Sequence, residues 1–280
     1  MKVKMLTYTQ QDSPIHRLSG AAKLIFFILW SVTAMISFDT RSLVVMFLIS
    51  LIVFWMSNVH FREYSFVLYL ILFFFLLNHL AIFAFSPLEG VKIYGTRHEI
   101  FPIVGRYVVT VEQLFYQMNI ALKYLTVIPM ALLFILTTDP GEFAASLNRI
   151  GLSYRISYSV SIAMRYIPDV QRDFQNISFA AQARGIDISK KEKLFKRLKN
   201  VIGILMPLIL TSVDRIETIS AAMELRGFGQ KGKRTWYKGR PFSVGDIVAI
   251  SLIVIIALGS TWLTFQDGSR FYNPFYQKGV

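Results

Sequence analysis

The sequence predicts an all-α, polytopic membrane protein with about five transmembrane helices, and three observations carry that prediction. Of 280 residues, 54% are hydrophobic and only 17% are charged, whereas a soluble domain carries about a quarter charged residues. Mean hydropathy is +0.48. Apolar stretches with little or no charge recur near the length, roughly 20 residues, that a helix needs to cross a hydrocarbon core.

The first stretch, Leu24–Phe38, is bounded by Lys23 and Asp39. No small-residue cleavage site follows it, so it reads as a retained span and not a signal peptide. The second runs from Ser42 to Ser57 or Phe61. The third, Tyr64–Phe85, carries no charge and includes Phe73-Phe74-Phe75. The fourth ends at Thr137 and begins between Val111 and Tyr124. Gln113, Gln117, Asn119 and Lys123 direct its first half towards protein or an interface, and Lys123 is expected to snorkel or to pair within the protein. The fifth is Ile247–Phe265. Between the third and fourth, Val91–Tyr94 and Ile103–Val109 either form a small hairpin or lie flat on the membrane.

Charge placement orients these spans. With the N-terminus inside, 23 of the 30 Lys and Arg residues fall on cytoplasmic segments and six on external ones, as the positive-inside rule requires. The net charge of +13 then marks cytoplasmic loops, and nucleic acid is not the inferred partner. Zero cysteines exclude disulfides, thiolate metal sites and a cysteine nucleophile. His16, His60, His79 and His98 are scattered without metal-ligand spacing, and His79 reads as an interhelical hydrogen-bonding group. No cofactor or catalytic constellation is expected.

Three segments follow: a membrane region 1–137, a basic helical region 138–243, and a terminal span with its tail, 244–280. The middle segment opens on Asp139-Pro140-Gly141-Glu142, an N-cap, a first-turn proline and a capping-box acid. Phe143, Leu147 and Ile150 make an apolar stripe that Gly151 terminates. Ser153 caps a second helix, about 154–184, which Pro168 should kink. A turn at Asp187 leads to a third helix, about 190–226, expected to break or bend at Gly203 or Pro207. The run Lys190-Lys191-Glu192-Lys193 with Lys196, Arg197 and Lys199 faces water or anionic headgroups.

The last two helices end alike. Ala180-Ala181 precedes Arg184-Gly185, and Ala221-Ala222 precedes Arg226-Gly227. In one reading, glycine terminates each helix and arginine offsets the negative end of its dipole. In the other, the alanines admit a partner surface and each arginine makes a charge-assisted bond to a carboxylate there.

At these residues the sequence resembles the transmembrane T component of energy-coupling factor (ECF) transporters, densest over 137–229. Thr137-Thr138-Asp139-Pro140-Gly141-Glu142 with Ile150-Gly151-Leu152-Ser153-Tyr154 is similar to the family's entry into its coupling region, and Met164-Arg165-Tyr166-Ile167-Pro168 to another family segment. The two Arg-Gly ends resemble the family's paired ATPase-docking motifs, with Gln182 where a further arginine is common. Leu18-Ser19-Gly20-Ala21-Ala22-Lys23-Leu24 resembles a pattern in which Asp-Pro usually stands where Ser19-Gly20 stands here. The resemblance implies a non-catalytic scaffold in the cell membrane, with its coupling region in the cytoplasm. Two ABC-type ATPases would dock at Ala180, Ala181, Arg184, Gly185, Ala221, Ala222, Arg226 and Gly227. A separate small membrane protein, the S component, would capture a vitamin or metal ion. The alternatives are the permease of an ordinary ABC importer and a membrane-embedded enzyme. Gly227–Arg234 mimics a phosphate loop by spacing, but it lacks the magnesium-binding Ser or Thr and follows a helix, not a strand.

Overall fold

Six of the described helices begin where a hydroxyl or carboxylate accepts from the exposed amides of the first turn. Ser19 Oγ accepts from Ala22 N, Asp39 Oδ1 from Arg41 N and Thr110 Oγ1 from Gln113 N. Ser243 and Asp246 form a reciprocal capping box. The computed structural model describes residues 13–59, 61–104, 107–186, 193–230, 235–266 and 269–275. Among them the elements are α1 (Pro14–Arg17), α2 (Gly20–Ile36), α3 (Thr40–Met56), α4 (Phe61–Phe85), α5 (Glu89–Tyr94), β1 (Glu99–Val104), β2 (Tyr107–Thr110), α6 (Val111–Thr137), α7 (Pro140–Arg149), α8 (Tyr154–Ala183), α9 (Leu194–Leu225) and α10 (Val244–Phe265). The chain divides into two compact units, 1–139 with 240–280, and 140–239.

The first unit is an apolar helical bundle. Within α4, α6 and α10 lie spans of 22, 27 and 22 residues that are long and apolar enough to cross a membrane, and α2 and α3 are shorter apolar helices of 17 residues each. Trp30, Ala34, Met46, Met130 and Ile253 bury one another where α2, α3, α6 and α10 meet. Pro129 crowds the carbonyls of the preceding turn of α6, and the Trp30 indole donates to one of them, Thr126 O, at 3.1 Å.

Two buried lysines act reciprocally between α2 and α6. Lys23 Nζ, at the start of α2, donates to Thr137 O at the end of α6, at 2.7 Å. Lys123 Nζ, within α6, donates to Met35 O in the last turn of α2, at 2.8 Å, and lies over the Phe38 ring. Each supplies a donor to a helix terminus whose last carbonyls lack one. Lys123 therefore pairs inside the protein and does not snorkel. His79 bridges helices, its Nε2 3.2 Å from Gln117 O, while Gln117 donates back to His79 O. Although Ser19-Gly20 departs from the Asp-Pro of the family pattern, the turn still starts a helix: Ser19 is the N-cap of α2, and its own N–H donates to Asp246 Oδ1 at 2.7 Å.

The hairpin differs from expectation. Its strands are β1 and β2, paired antiparallel, and Val91–Tyr94 belongs to α5 instead. Gly90 causes this. Its N–H donates to Gln113 Oε1, and a Cβ there would stand 2.3 Å from Glu112 O. The backbone must lie flush against α6, and Gly95, with φ 72°, ends the helix one residue past Tyr94.

Candidate functional site: two arginine-capped helix ends

The second unit is made from α7, α8 and α9. α8 runs unbroken through Pro168 and α9 through Gly203 and Pro207. Of the expected break or bend at Gly203 or Pro207, the break does not occur. A proline withholds one N–H, here from Gly203 O, and that is one bond in a helix of 32 residues.

α8 and α9 are antiparallel. Arg215 Nη2 bonds Asp173 Oδ2 at 2.7 Å, and Phe228, just past the end of α9, packs on Tyr154 and Tyr158 at the start of α8. Ile204 and Leu208 are the buried residues of α9.

All three helices of this unit end in the same motif. Past α7, Leu152 N donates to Leu147 O and Gly151 N to Asn148 O. Past α8, Ile186 N donates to Ala181 O and Gly185 N to Gln182 O. Past α9, Phe228 N donates to Met223 O and Gly227 N to Glu224 O. These are Schellman caps, and they require a left-handed residue. Gly151, Gly185 and Gly227 supply it, with φ of 109°, 81° and 67°. The glycine therefore closes any helix here and does not by itself mark a site. What separates the latter two is the residue before it: Arg184 and Arg226 at the C-cap, against Ile150.

Those two ends are also equivalent in position. Arg184 lies eleven residues beyond Asp173, and Arg226 eleven beyond Arg215. At 1.5 Å per residue, the arginines stand roughly 30 Å apart along the pair, on opposite sides of the Asp173–Arg215 bridge. Ala180, Arg184, Gly185, Ala221, Ala222 and Arg226 are exposed, and Ala181 and Gly227 are half-buried. The structure thus separates the eight candidate residues into two exposed patches. Asp187, Lys190, Lys191, Glu192 and the end of the phosphate-loop mimic, 231–234, lie outside the described residues.

Residues 11–237 match the family described as "Cobalt transport protein", CbiQ. The chain belongs to that family. It is 26% identical over 271 residues to the energy-coupling factor transporter transmembrane protein EcfT of Staphylococcus aureus, covering 92% of this chain and 96% of that one. With EcfT of Streptococcus equi it shares 27% over 272 residues, 90% and 93% of the two chains. With EcfT of Limosilactobacillus fermentum it shares 32% over 104 residues, 37% and 39% of the two. This is the transmembrane T component of an ECF transporter, and among its described residues no group of three His, Asp or Glu side chains is placed to hold a metal ion.

Sequence reasoning missed the support beneath the second patch. Phe228 sits 4.8 Å from the Tyr158 ring and 5.9 Å from Tyr154, and Trp236 sits 5.4 Å from Tyr154. The Trp236 indole donates to Asn148 Oδ1 at 3.1 Å, which draws the end of α7 into the same cluster. The signal was present: tyrosines at i and i+4 opening one helix, and an aromatic directly after an Arg-Gly end.

Proposed function

We propose that this T component couples two partner ATPases to uptake of a vitamin or metal ion, with Arg184 and Arg226 each anchoring one ATPase. The observation that carries this reading is the pair of exposed, identically capped Arg-Gly ends, roughly 30 Å apart across one antiparallel helix pair. Each arginine is exposed beside a pair of alanines, where a groove edged by carboxylates can close on it. Two separated, equivalent handles suit two motors better than one. The five apolar helices span the cell membrane with residues 138–243 in the cytoplasm, supported by the placement of Lys and Arg. The chain itself is non-catalytic, ATP is consumed on the partners, and a small membrane-embedded S component captures the substrate.

The test is co-purification of the ATPases with full-length chain. Losing one charge-assisted bond costs about 1.5–3 kcal/mol, roughly a 10- to 150-fold loss of affinity. Arg184→Glu or Arg226→Glu weakens assembly by at least that, and the double variant abolishes ATPase recovery and uptake. Wild-type recovery and uptake by the double variant would refute the assignment.

A further inference from the structure

The chain passes from its first unit into its second through a very short link. α6 ends at Thr137 and α7 begins at Pro140, so only Thr138 and Asp139 lie between the two helices. The return connection, 226–243, is far longer. Thr138 is extended, with φ −109° and ψ 122°, and the proline after Asp139 keeps that residue out of the helical region.

The bundle grips this link. Lys23, 5% exposed, donates from Nζ to Thr137 O at 2.7 Å. The matching bond at the far end of the same helix pair, from Lys123 to Met35 O, is locked by rings: the Phe38 ring lies under the ammonium, and Phe271 and Arg270 cover that ring as well. The end at Thr137 is different. Thr137 and Thr138 are both buried, yet among the described residues neither hydroxyl has a hydrogen-bond partner. No other two adjacent described residues share that condition. Elsewhere in the bundle, helical threonines donate to the carbonyl four residues back: Thr33 to Leu29 O at 2.7 Å, Thr261 to Ala257 O at 2.6 Å and Thr264 to Ser260 O at 2.7 Å. A buried hydroxyl is normally paired. Two idle ones side by side, at the one short link between the units, mark an arrangement that a small movement improves.

We propose that Thr137-Thr138 is a two-position joint between the bundle and the coupling region, with Lys23 as the residue that positions it. In the arrangement seen, the ammonium holds Thr137 O to α2 and both hydroxyls are idle. In the second, Thr138 winds onto α6, and the hydroxyls donate to Leu133 O and Phe134 O one turn back. Winding stops there, because Asp139 precedes Pro140. α7 then leaves α6 in a new direction while Lys23 keeps the end of α6 in place. The inference rests on the coupling role proposed above: movement of the docked ATPases selects between the two positions.

The test has two arms. In the first, the full-length chain alone carries Thr137→Val and Thr138→Val together; valine keeps the shape of threonine without its hydroxyl. No bond is lost in the arrangement seen, so the midpoint of thermal unfolding in detergent should stay within about 3 °C of wild type or rise. A larger fall would show that the hydroxyls are paired at rest, and would overturn the proposal. In the second arm, the chain has no cysteine, so spin labels are placed at Ile28→Cys on α2 and Gln171→Cys on α8, both exposed. Distances between them are read in the assembled transporter, in nanodiscs, with and without adenylyl imidodiphosphate. The nucleotide should move wild type to a second distance. The double valine variant should show about tenfold less of that second population while recovering as much ATPase as wild type. Lys23→Met should broaden both distributions, because the end of α6 is no longer held; should it fail to fold, the valine pair decides. A single distance in wild type with and without nucleotide, or a double valine variant that switches as wild type does, would overturn the proposal. A wild-type chain that recovers no ATPase would instead defeat the docking reading, and the stability arm would then decide this one alone.

Discussion

At the end of α9, Phe228 closes onto Tyr154 and Tyr158, Trp236 joins them, and Arg155 Nη2 reaches Gly229 O at 3.4 Å. At the end of α8, Ile186 occupies the place of Phe228 and is exposed, and among the described residues no ring contact involves 180–186. The two Schellman bonds of the caps agree within about 0.1 Å, while the C-cap amides differ: Arg184 N donates to Ala181 O at 3.0 Å and Arg226 N to Ala222 O at 3.3 Å. Among the described residues, ring contacts thus brace the α9 end and none brace the α8 end. Similar local geometry can be reached with different support, and only the support predicts how each arm answers mutation.

The largest contrast is at the residue following each glycine. Aromatic pairs contribute about 0.5–1.5 kcal/mol each beyond their buried area, so Phe228→Ala should cost the protein about 2 kcal/mol, while Ile186→Ala stays within about 0.5 kcal/mol. Chemical denaturation in detergent, read at both variants, checks this; equal losses would erase the distinction between the arms.

Next come the glycines. Both are left-handed, so alanine costs about 1 kcal/mol at either. At Gly185 a Cβ meets nothing within 4 Å, and at Gly227 it meets Gln230 Oε1 at 3.1 Å. Gly227→Ala should therefore be the worse of the two by a few tenths of a kcal/mol, the cost of moving a flexible side chain, and Gly227→Ala/Gln230→Ala should bring it level with Gly185→Ala. Amide exchange at residues 180–186 and 222–228 measures this locally. Smaller still is the central bridge. Asp173 and Arg215 are both about a third exposed on their side chains, so Arg215→Ala should cost only about 0.5 kcal/mol. The same exchange experiment should show it loosening both ends equally, because the bridge stands midway between them.

Much of this was legible in sequence. The five apolar helices end within a few residues of where charge and polar caps place them, because hydropathy over a 17- to 27-residue window is a strong signal. Arg-Gly after paired alanines announced both helix ends, because a glycine C-cap is local chemistry. The failures were tertiary. Val91–Tyr94 carries a four-residue apolar pattern too short to tell helix from strand, and Gly90 settles it through contact with Glu112, which is 22 residues away. The continuity of α9 through Pro207 depends on how many other bonds the helix keeps. Lys23 with Thr137, Ser19 with Asp246 and Asp173 with Arg215 pair residues 114, 227 and 42 positions apart, and no local pattern specifies them. Phe228 was visible as a residue, but its role as a brace needed the antiparallel pairing of α8 and α9.

The most direct test of two separate handles uses Ala180→Cys and Ala222→Cys, equivalent positions one turn before Arg184 and Arg226 in a chain otherwise free of cysteine. Each is fitted with a short photo-crosslinker in the assembled transporter and, finally, both together. One chain joined to one ATPase from either position, and to two ATPases when both are labelled, is the predicted result. A double-labelled chain that never carries more than one ATPase, or adducts only to other membrane subunits, would contradict it.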